Sequence, residues 1–466
     1  MARWRASRIW LRKPGRALAL LHSASRGDGT SLSLRAWLAL TYARDERAAE
    51  LAAREALAYS GGDTRFASAA LAEVLLRRRE HDAAIEVIDA AGRRAGAAAW
   101  YALTLADALV EAGRTGDAEE LLEDAATTPR LRRHALKRLS RQALERGDRD
   151  RARRFFTELL ELAPDYLVYA SDYEILGGLQ LETGDRDGAH ETWRRGAGIY
   201  SRHRGLRERL RTELGEDSPL SAPRIAPVAE EAVGARRIPV RTPFINWRVD
   251  LGRVIDEVTA ELRHPGDVIA LSESAAAASQ GRVLPLELVR PGVVARLLSR
   301  FVGKRGPLHS PEGMQGAVME AGRVRVVLGA VAGALGKAVG RRGWFYRSAG
   351  PRTAMIDDVA ACLPPHDHHL IFAPSDPDDL ADGLSRRLGC GVAIVDANHL
   401  SGAWIVGASP GVDRDWLARA LEDNPAGNED EQTPVVVVRP IGSAADRPQP
   451  RADDAAVPAA GTQAGG

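Results

Sequence analysis

The sequence predicts two unlike halves: an N-terminal α-helical solenoid followed by a mixed α/β (α+β) domain. Three observations predict it. Four segments before residue 200 share one pattern at a period near 34 residues. Residues 216–237, EDSPLSAPRIAPVAEEAVGARR, break that pattern with three prolines and no helical period. Short β-rich runs then alternate with helical stretches up to residue 442. A chain of 466 residues has room for two or three domains, each with its own core. The expected organisation is a repeat domain over 1–215, a linker over 216–237 and a second domain over 238–442. A disordered tail, rich in Ala, Pro, Asp and Gly, occupies 443–466.

The repeated segments are REHDAAIEVIDAA, GRTGDAEELLEDA, GDRDRARRFFTELL and GDRDGAHETWRRGA, anchored by Ala84, Ala118, Ala152 and Ala189. The anchors lie 34, 34 and 37 residues apart. Gly113, Gly147 and Gly184 fall at one offset before their alanines, where a glycine relieves the turn between two helices. Arg79 holds that place in the first unit. The alanines let the paired helices approach, and Leu121, Phe155 and Trp193 should pack against neighbouring units. Pro164 marks a helix stop, and RDERAAELAAREAL extends the array upstream. The segment resembles tetratricopeptide repeats over about 180 residues. That resemblance implies a protein partner, a peptide or helix, bound in the concave face.

Bulk composition narrows the partners. The formal charge of +1 gives no whole-chain argument for nucleic acid or an anionic membrane, and neither is expected as a partner. Two cysteines, Cys362 and Cys390, exclude a disulfide framework and suit a reducing cytoplasm. The N-terminal apolar patch, 17–21, is too short for a span and follows Pro14, Gly15 and Arg16.

In the second half, strands are expected over 268–271, 324–328, 369–373, 392–395, 404–406 and 434–438. Helices are expected over 253–262, 291–301, 377–388 and 413–423. The last two begin at N-cap candidates, Asp376 before Pro377 and Asp413.

Several groups carry chemistry. The stretch GDVIALSESAAAASQGR, 266–282, is an apolar strand that ends in a polar turn, the usual place for ligands in α/β proteins. The strand at 392–395 runs into Asp396 and Asn398, a carboxylate and an amide able to hold a hydrated magnesium and orient a phosphate. The alternative is a plain strand exit, since Asp and Asn favour turns. Asp357 and Asp358 form a second acidic pair, either metal ligands or a helix cap. The glycine-rich stretch 329–343 is not a Walker loop, because Ala338 follows Lys337. It offers Lys337, Arg341 and Arg342 to phosphates, or else packs helices closely. His366, Asp367, His368 and His369 lack a second ligand group at zinc spacing and read as a strand-entry loop. The polar loop 424–433 reads as a lid, a dimer contact or a solvated connection.

Taken in order, Ile238 to Phe244, the 266–282 stretch, Ala349-Gly350 with Ile356-Asp357-Asp358, and Asp396 resemble the ligases that add glutamate to coenzyme F-420. The resemblance implies a mixed α/β dimer that uses GTP (or ATP) with Mg or Mn. A carboxylate is phosphorylated, and an amino acid amine then displaces phosphate. Small-molecule acid and amino acid are the implied substrates. Asp357, Asp358 and Asp396 would hold metal, with Asp396 and Asn398 catalytic. Ser272, Lys337 and Arg341 would bind the nucleotide. Glu273 stands where that family has lysine, and a carboxylate there repels phosphate. A second reading follows: a diverged ligase fold serving as an adaptor, with the repeats binding a protein partner.

Overall fold

The structure is a computed structural model. It describes residues 9–11, 13–23, 28–59, 61–95, 99–162, 168–200, 203–216, 230–302, 307–338, 340, 344–353, 355–356, 364–398, 402–427 and 431–441. Asp357, Asp358, Arg341, Arg342, Cys362, Pro164, most of the expected linker and the whole expected tail lie outside them.

Among the described residues the first half is an array of five helix pairs behind an entry helix, α1 (Pro14–Ser23). The pairs are α2 (Gly29–Thr41) with α3 (Glu46–Ala58), α4 (Arg65–Arg77) with α5 (His81–Ala95), and α6 (Ala99–Glu111) with α7 (Thr115–Ala126). They continue with α8 (Arg132–Glu145) and α9 (Arg149–Leu162), then α10 (Ala170–Glu182) and α11 (Arg186–Ile199). A short helix, α12 (Arg204–Arg209), runs into a π-helical turn and closes the array with buried Leu206 and Leu210. Ala17 and Leu21, in the N-terminal apolar patch, pack from α1 onto Leu34 and Leu38 of α2.

The sequence pattern explains this architecture residue by residue. Ala84, Ala118, Ala152 and Ala189 are each fully buried, as is Ala49 in the upstream unit. Gly113, Gly147 and Gly184 take left-handed φ values of 76°, 75° and 83°. Arg79 and Arg44 adopt the same conformation at 61° and 58° without being glycine. Trp193 is fully buried, and its Nε1–H donates to the Glu174 carbonyl at 3.2 Å. Ion pairs stitch consecutive units: Glu46 to Arg77, Glu50 to Arg78, Asp107 to Arg138, and Asp172 to Arg141.

The second half centres on a five-stranded sheet. Its strands are β1 (Ala235–Val240), β2 (Val268–Ser272), β5 (Gly391–Asn398), β6 (Gly402–Ala408) and β7 (Val435–Pro440), in the order β1-β7-β2-β5-β6. Only β2 and β5 pair in parallel. Strand β1 begins at Ala235, inside the segment expected as linker, just after a one-turn helix, α13 (Glu230–Val233). Period-two alternation splits the sheet's residues. Ile269, Leu271, Ile394 and Val437 face α14 (Leu251–Thr259) and α20 (Pro377–Leu388). Val268, Ala270, Ala393 and Val438 face α21 (Arg414–Ala420). A separate hairpin-like pair joins β3 (Val283–Pro285) to β4 (His369–Ile371). Helix α15 (Glu273–Ser279) follows β2 directly.

Between these pieces lies a helical module of α16 (Val293–Leu298), α17 (Pro311–Ala321), α18 (Arg323–Ala338) and α19 (Trp344–Ala349). The expected strand at 324–328 is therefore wrong; those residues open α18. Its valines favour a strand locally, but an Ala- and Gly-rich continuation with a helical inner face overrides them. Gly329 and Gly333 pack against Ala349 and Phe345 of α19. These two glycines thus serve close helix packing.

The two halves share one core. Trp37, Leu40, Leu71 and Leu75 of the array lie in a buried cluster with Trp247, Leu284, Leu286, Leu288, Leu370 and Phe372 of the second half. The docked face is the one presented by the first helices of the repeats.

Candidate functional site

The expected catalytic residues gather only in part. Ser272 closes β2, and its register partner on the parallel strand β5 is Val395, so Asp396 comes one residue later. Ser272 and Asp396 thus sit near the carboxyl ends of neighbouring strands, as the topology of a ligand site requires. Asn398 ends β5 opposite Gly402. Lys337 is exposed near the end of α18, which packs on α16, α17 and α19. Asp357, Asp358 and Arg341 lie outside the described residues. Among the described residues no group of three or more His, Cys, Asp or Glu side chains has metal-ligating geometry. A cleft of about 360 Å³ lies instead at the start of α4, lined by Asp63, Arg65, Tyr101 and Arg290 among others, and by none of the seven expected residues.

Three polar residues of the 266–282 stretch, Asp267, Gln280 and Arg282, are held in pairings within the fold. Asp267 is buried and takes a bidentate pair from Arg439 of β7, at 2.9 Å on each oxygen. Gln280 makes a two-way bond with the Ser375 backbone, at 2.8 and 2.7 Å. Gly281 has φ of 71°, and a side chain there would lie 2.9 Å from the Thr41 carbonyl of α2. Arg282 is buried, pairs with Glu320 at 2.8 Å, and donates to the carbonyls of Ala373 and Leu11. Burial, only partly offset by Glu320, lowers its pKa to about 10. Glu273 is buried and accepts from Ser274 Oγ at 3.3 Å.

The polar centre that the structure assembles is elsewhere, at the seam between the halves. Residues 366–368 form a 3₁₀ turn entering β4. Asp367 is fully buried. Arg138 of α8 donates to it through Nη1 at 2.8 Å and Nη2 at 2.9 Å, and reaches Asp107 of α6 through Nε at 2.8 Å and Nη2 at 3.0 Å. His134 Nδ1 lies 3.0 Å from the same Asp367 carboxylate. Burial pushes His134 down to about 4 despite that carboxylate, so the ring is neutral and its Nδ1–H is the donor. Burial opposes the Asp367 charge, yet Arg138 and the flanking histidines outweigh it and hold the carboxyl well below its usual range. His368 Nε2 lies 3.2 Å from Thr104 Oγ1, which donates to Glu287 Oε1 at 2.7 Å. The His366 ring lies tilted against Phe244 at 4.7 Å, and Trp100 meets His134 edge-on at 5.5 Å.

This knot joins α6 and α8 of the array to β4 and the 3₁₀ turn that follows β3. Further ties flank it. Arg65 donates to the carbonyls of Glu287 and Leu288, Arg248 pairs with Glu73, and Arg44 donates to the Ser279 carbonyl at 2.6 Å. Along α2, α4, α6 and α8 the array meets the chain's own second half. The sequence signal was present: a dense run, His366 to His369, entering an apolar strand. Its partners His134, Arg138 and Asp107 lie more than 200 residues away, and nothing local marks them.

By its own geometry the first half is a helical-repeat solenoid of the tetratricopeptide type. No family model matches the chain, and no curated protein matches it. Among solved structures, the crystal structure of BtubC (BKLC) from P. vanneervenii is 21% identical, with a TM-score of 0.31, over 43% of this chain and 87% of that one. Pseudomonas aeruginosa pilF is 15% identical, with a TM-score of 0.34, over 44% of this chain and 96% of that one. Likeness at that level carries no weight for function.

Proposed function

We propose that the chain is a non-catalytic scaffold: a helical-repeat adaptor that clasps its own diverged ligase-like domain and offers its uncovered faces to a protein partner. One observation carries this reading. The Arg138–Asp367 pair and its neighbours are buried between the halves, so the repeat array spends its first-helix face on the same chain. A partner then meets the second helices, α3, α5, α7, α9 and α11, or the second domain itself. The test uses the full chain with GTP or ATP, Mg or Mn, and glutamate. The scaffold reading expects phosphate release no greater than that of Asp396→Ala, and no metal-dependent nucleotide binding by calorimetry. Nucleotide binding that needs metal and is lost in Asp396→Ala would overturn it.

A second reading is favoured by the adjacency of Ser272 and Asp396 on parallel strands. Under it, Asp396 with Asp357 and Asp358 holds Mg or Mn, the γ-phosphoryl group of GTP or ATP passes to a substrate carboxylate, and an amino acid amine displaces phosphate from the acyl phosphate. The same assay decides between the two.

A further inference from the structure

The helical module 291–349 has an outer surface unlike the rest of the molecule. Val293 and Leu297 on α16, with Phe301 just beyond it, are 80%, 51% and 77% exposed. On α18, Val324, Leu328, Val331 and Leu335 are also more than half exposed, and Val327 lies beside them. Their spacing, four, three and four residues, places them along one helical stripe. With Phe301, these two helices carry eight of the sixteen large exposed hydrophobic side chains among the described residues. Such a concentration is an interaction site rather than ordinary surface scatter.

The inner faces account for why the stripe stays outside. Ala295, Met314, Ala317 and Val326 already fill a shared core from α16, α17 and α18. Helix α16 packs against α18, so the two stripes are neighbours.

Charge identifies what the surface fits. Residues 291–349 contain ten Lys or Arg and two Glu, a local excess of eight positive charges in a chain whose total is +1. Both glutamates are buried and paired: Glu312 with Arg130, and Glu320 with Arg282 and Arg352. The exposed charge of the module is therefore cationic. Arg296, Arg300, Arg323, Arg325, Lys337 and Arg347 are exposed on it. A second copy would bring like charge against like charge. Nucleic acid would gain little, because seven of the eight apolar side chains are aliphatic and offer no ring for base stacking. An apolar stripe flanked by cations is the chemistry of a helix lying in the interface of an anionic bilayer. Among the described residues no helix is long and apolar enough to cross a membrane, so contact would be peripheral.

We propose that α16 and α18 form a membrane-docking surface that seats the protein on an anionic lipid bilayer, with the aliphatic stripe entering the headgroup boundary. This goes beyond the scaffold reading and does not depend on it. The test is co-sedimentation of the full chain with phosphatidylcholine vesicles, with and without phosphatidylglycerol. The wild type is expected to pellet with the anionic vesicles, and to be released by raised salt. Leu328→Asp and Val293→Asp, one on each helix, should each lower partitioning at least tenfold with unchanged circular dichroism. Arg323→Gln with Arg325→Gln should lower it severalfold. In Phe301→Trp, the new indole should blue-shift on anionic vesicles alone. Three results would overturn the proposal. They are equal partitioning to neutral and anionic vesicles, a solution dimer that Leu328→Asp dissociates, or duplex oligonucleotide binding that the arginine pair abolishes and Leu328→Asp leaves intact.

Discussion

Arg138 and Asp367, 229 positions apart in sequence, form a bidentate ion pair at 2.8 and 2.9 Å in full burial. A buried pair is weak as a net source of stability but costly to break, because the remaining charge is left in a low-dielectric site. Asp367→Asn should therefore destabilise the protein by about 3–5 kcal/mol. Since the pair spans the seam, that variant should also unfold in two urea transitions where the wild type shows one. An unchanged midpoint, followed by circular dichroism, would show that the knot is not what holds the halves together.

The histidines make the seam acid-sensitive. Burial holds His134 and His366 down to about 4, and His369 well below its ordinary value. Around His134 stand Asp367, Arg133 and Arg138; around His366 and His369 stand His368 and Asp367, with Arg248 also acting on His366. Each ring is neutral in the fold and takes up a proton near pH 6.5 when unfolded. For His134 and His366 that stabilisation is complete above that pH and is lost as pH falls toward about 4, by up to roughly 3 kcal/mol each, and His369 acts in the same direction. Denaturant midpoints at pH 7 and pH 5 check this; equal midpoints would refute it.

The repeat turns give a signed pair of substitutions. Arg79 holds a left-handed backbone at φ 61°. Arg79→Gly should stabilise by up to about 1 kcal/mol through relief of that strain. Gly113→Ala, at φ 76° with nothing within 4 Å of the new methyl, should cost about 1 kcal/mol through backbone strain alone. Thermal melts of the two variants should move in opposite directions.

Gly177 tests packing instead of backbone. A Cβ there would lie 2.2 Å from Trp193 Nε1, and Trp193 is fully buried. Gly177→Ala should cost about 1–3 kcal/mol, since the indole must shift within a filled core. A melting temperature within error of the wild type would show that the indole has room to move.

The repeat architecture was legible because its determinants are local. A glycine, a fixed offset and an alanine recur, and each acts within its own helix pair. Strands β2, β5, β6 and β7 were legible through unbroken apolar runs. The 324–328 segment was misread because valines carry strand preference while their helix is set by packing on α16, α17 and α19. The cationic module was hidden by averaging: a charge of +1 over the whole chain says nothing about 59 residues with an excess of eight. A windowed charge count would have found it.

By itself, then, the sequence determined the period, the turn chemistry, most of the sheet and the order of the halves, all governed by contacts near in sequence. Only the tertiary structure decided that the repeats clasp their own second domain, that Asp267, Gln280 and Arg282 brace the 266–282 stretch, and that Asp367 and His368 meet Arg138 and His134. These are pairings of buried charge across more than 200 residues. Desolvation makes such charges pair somewhere, but only the packed fold says where.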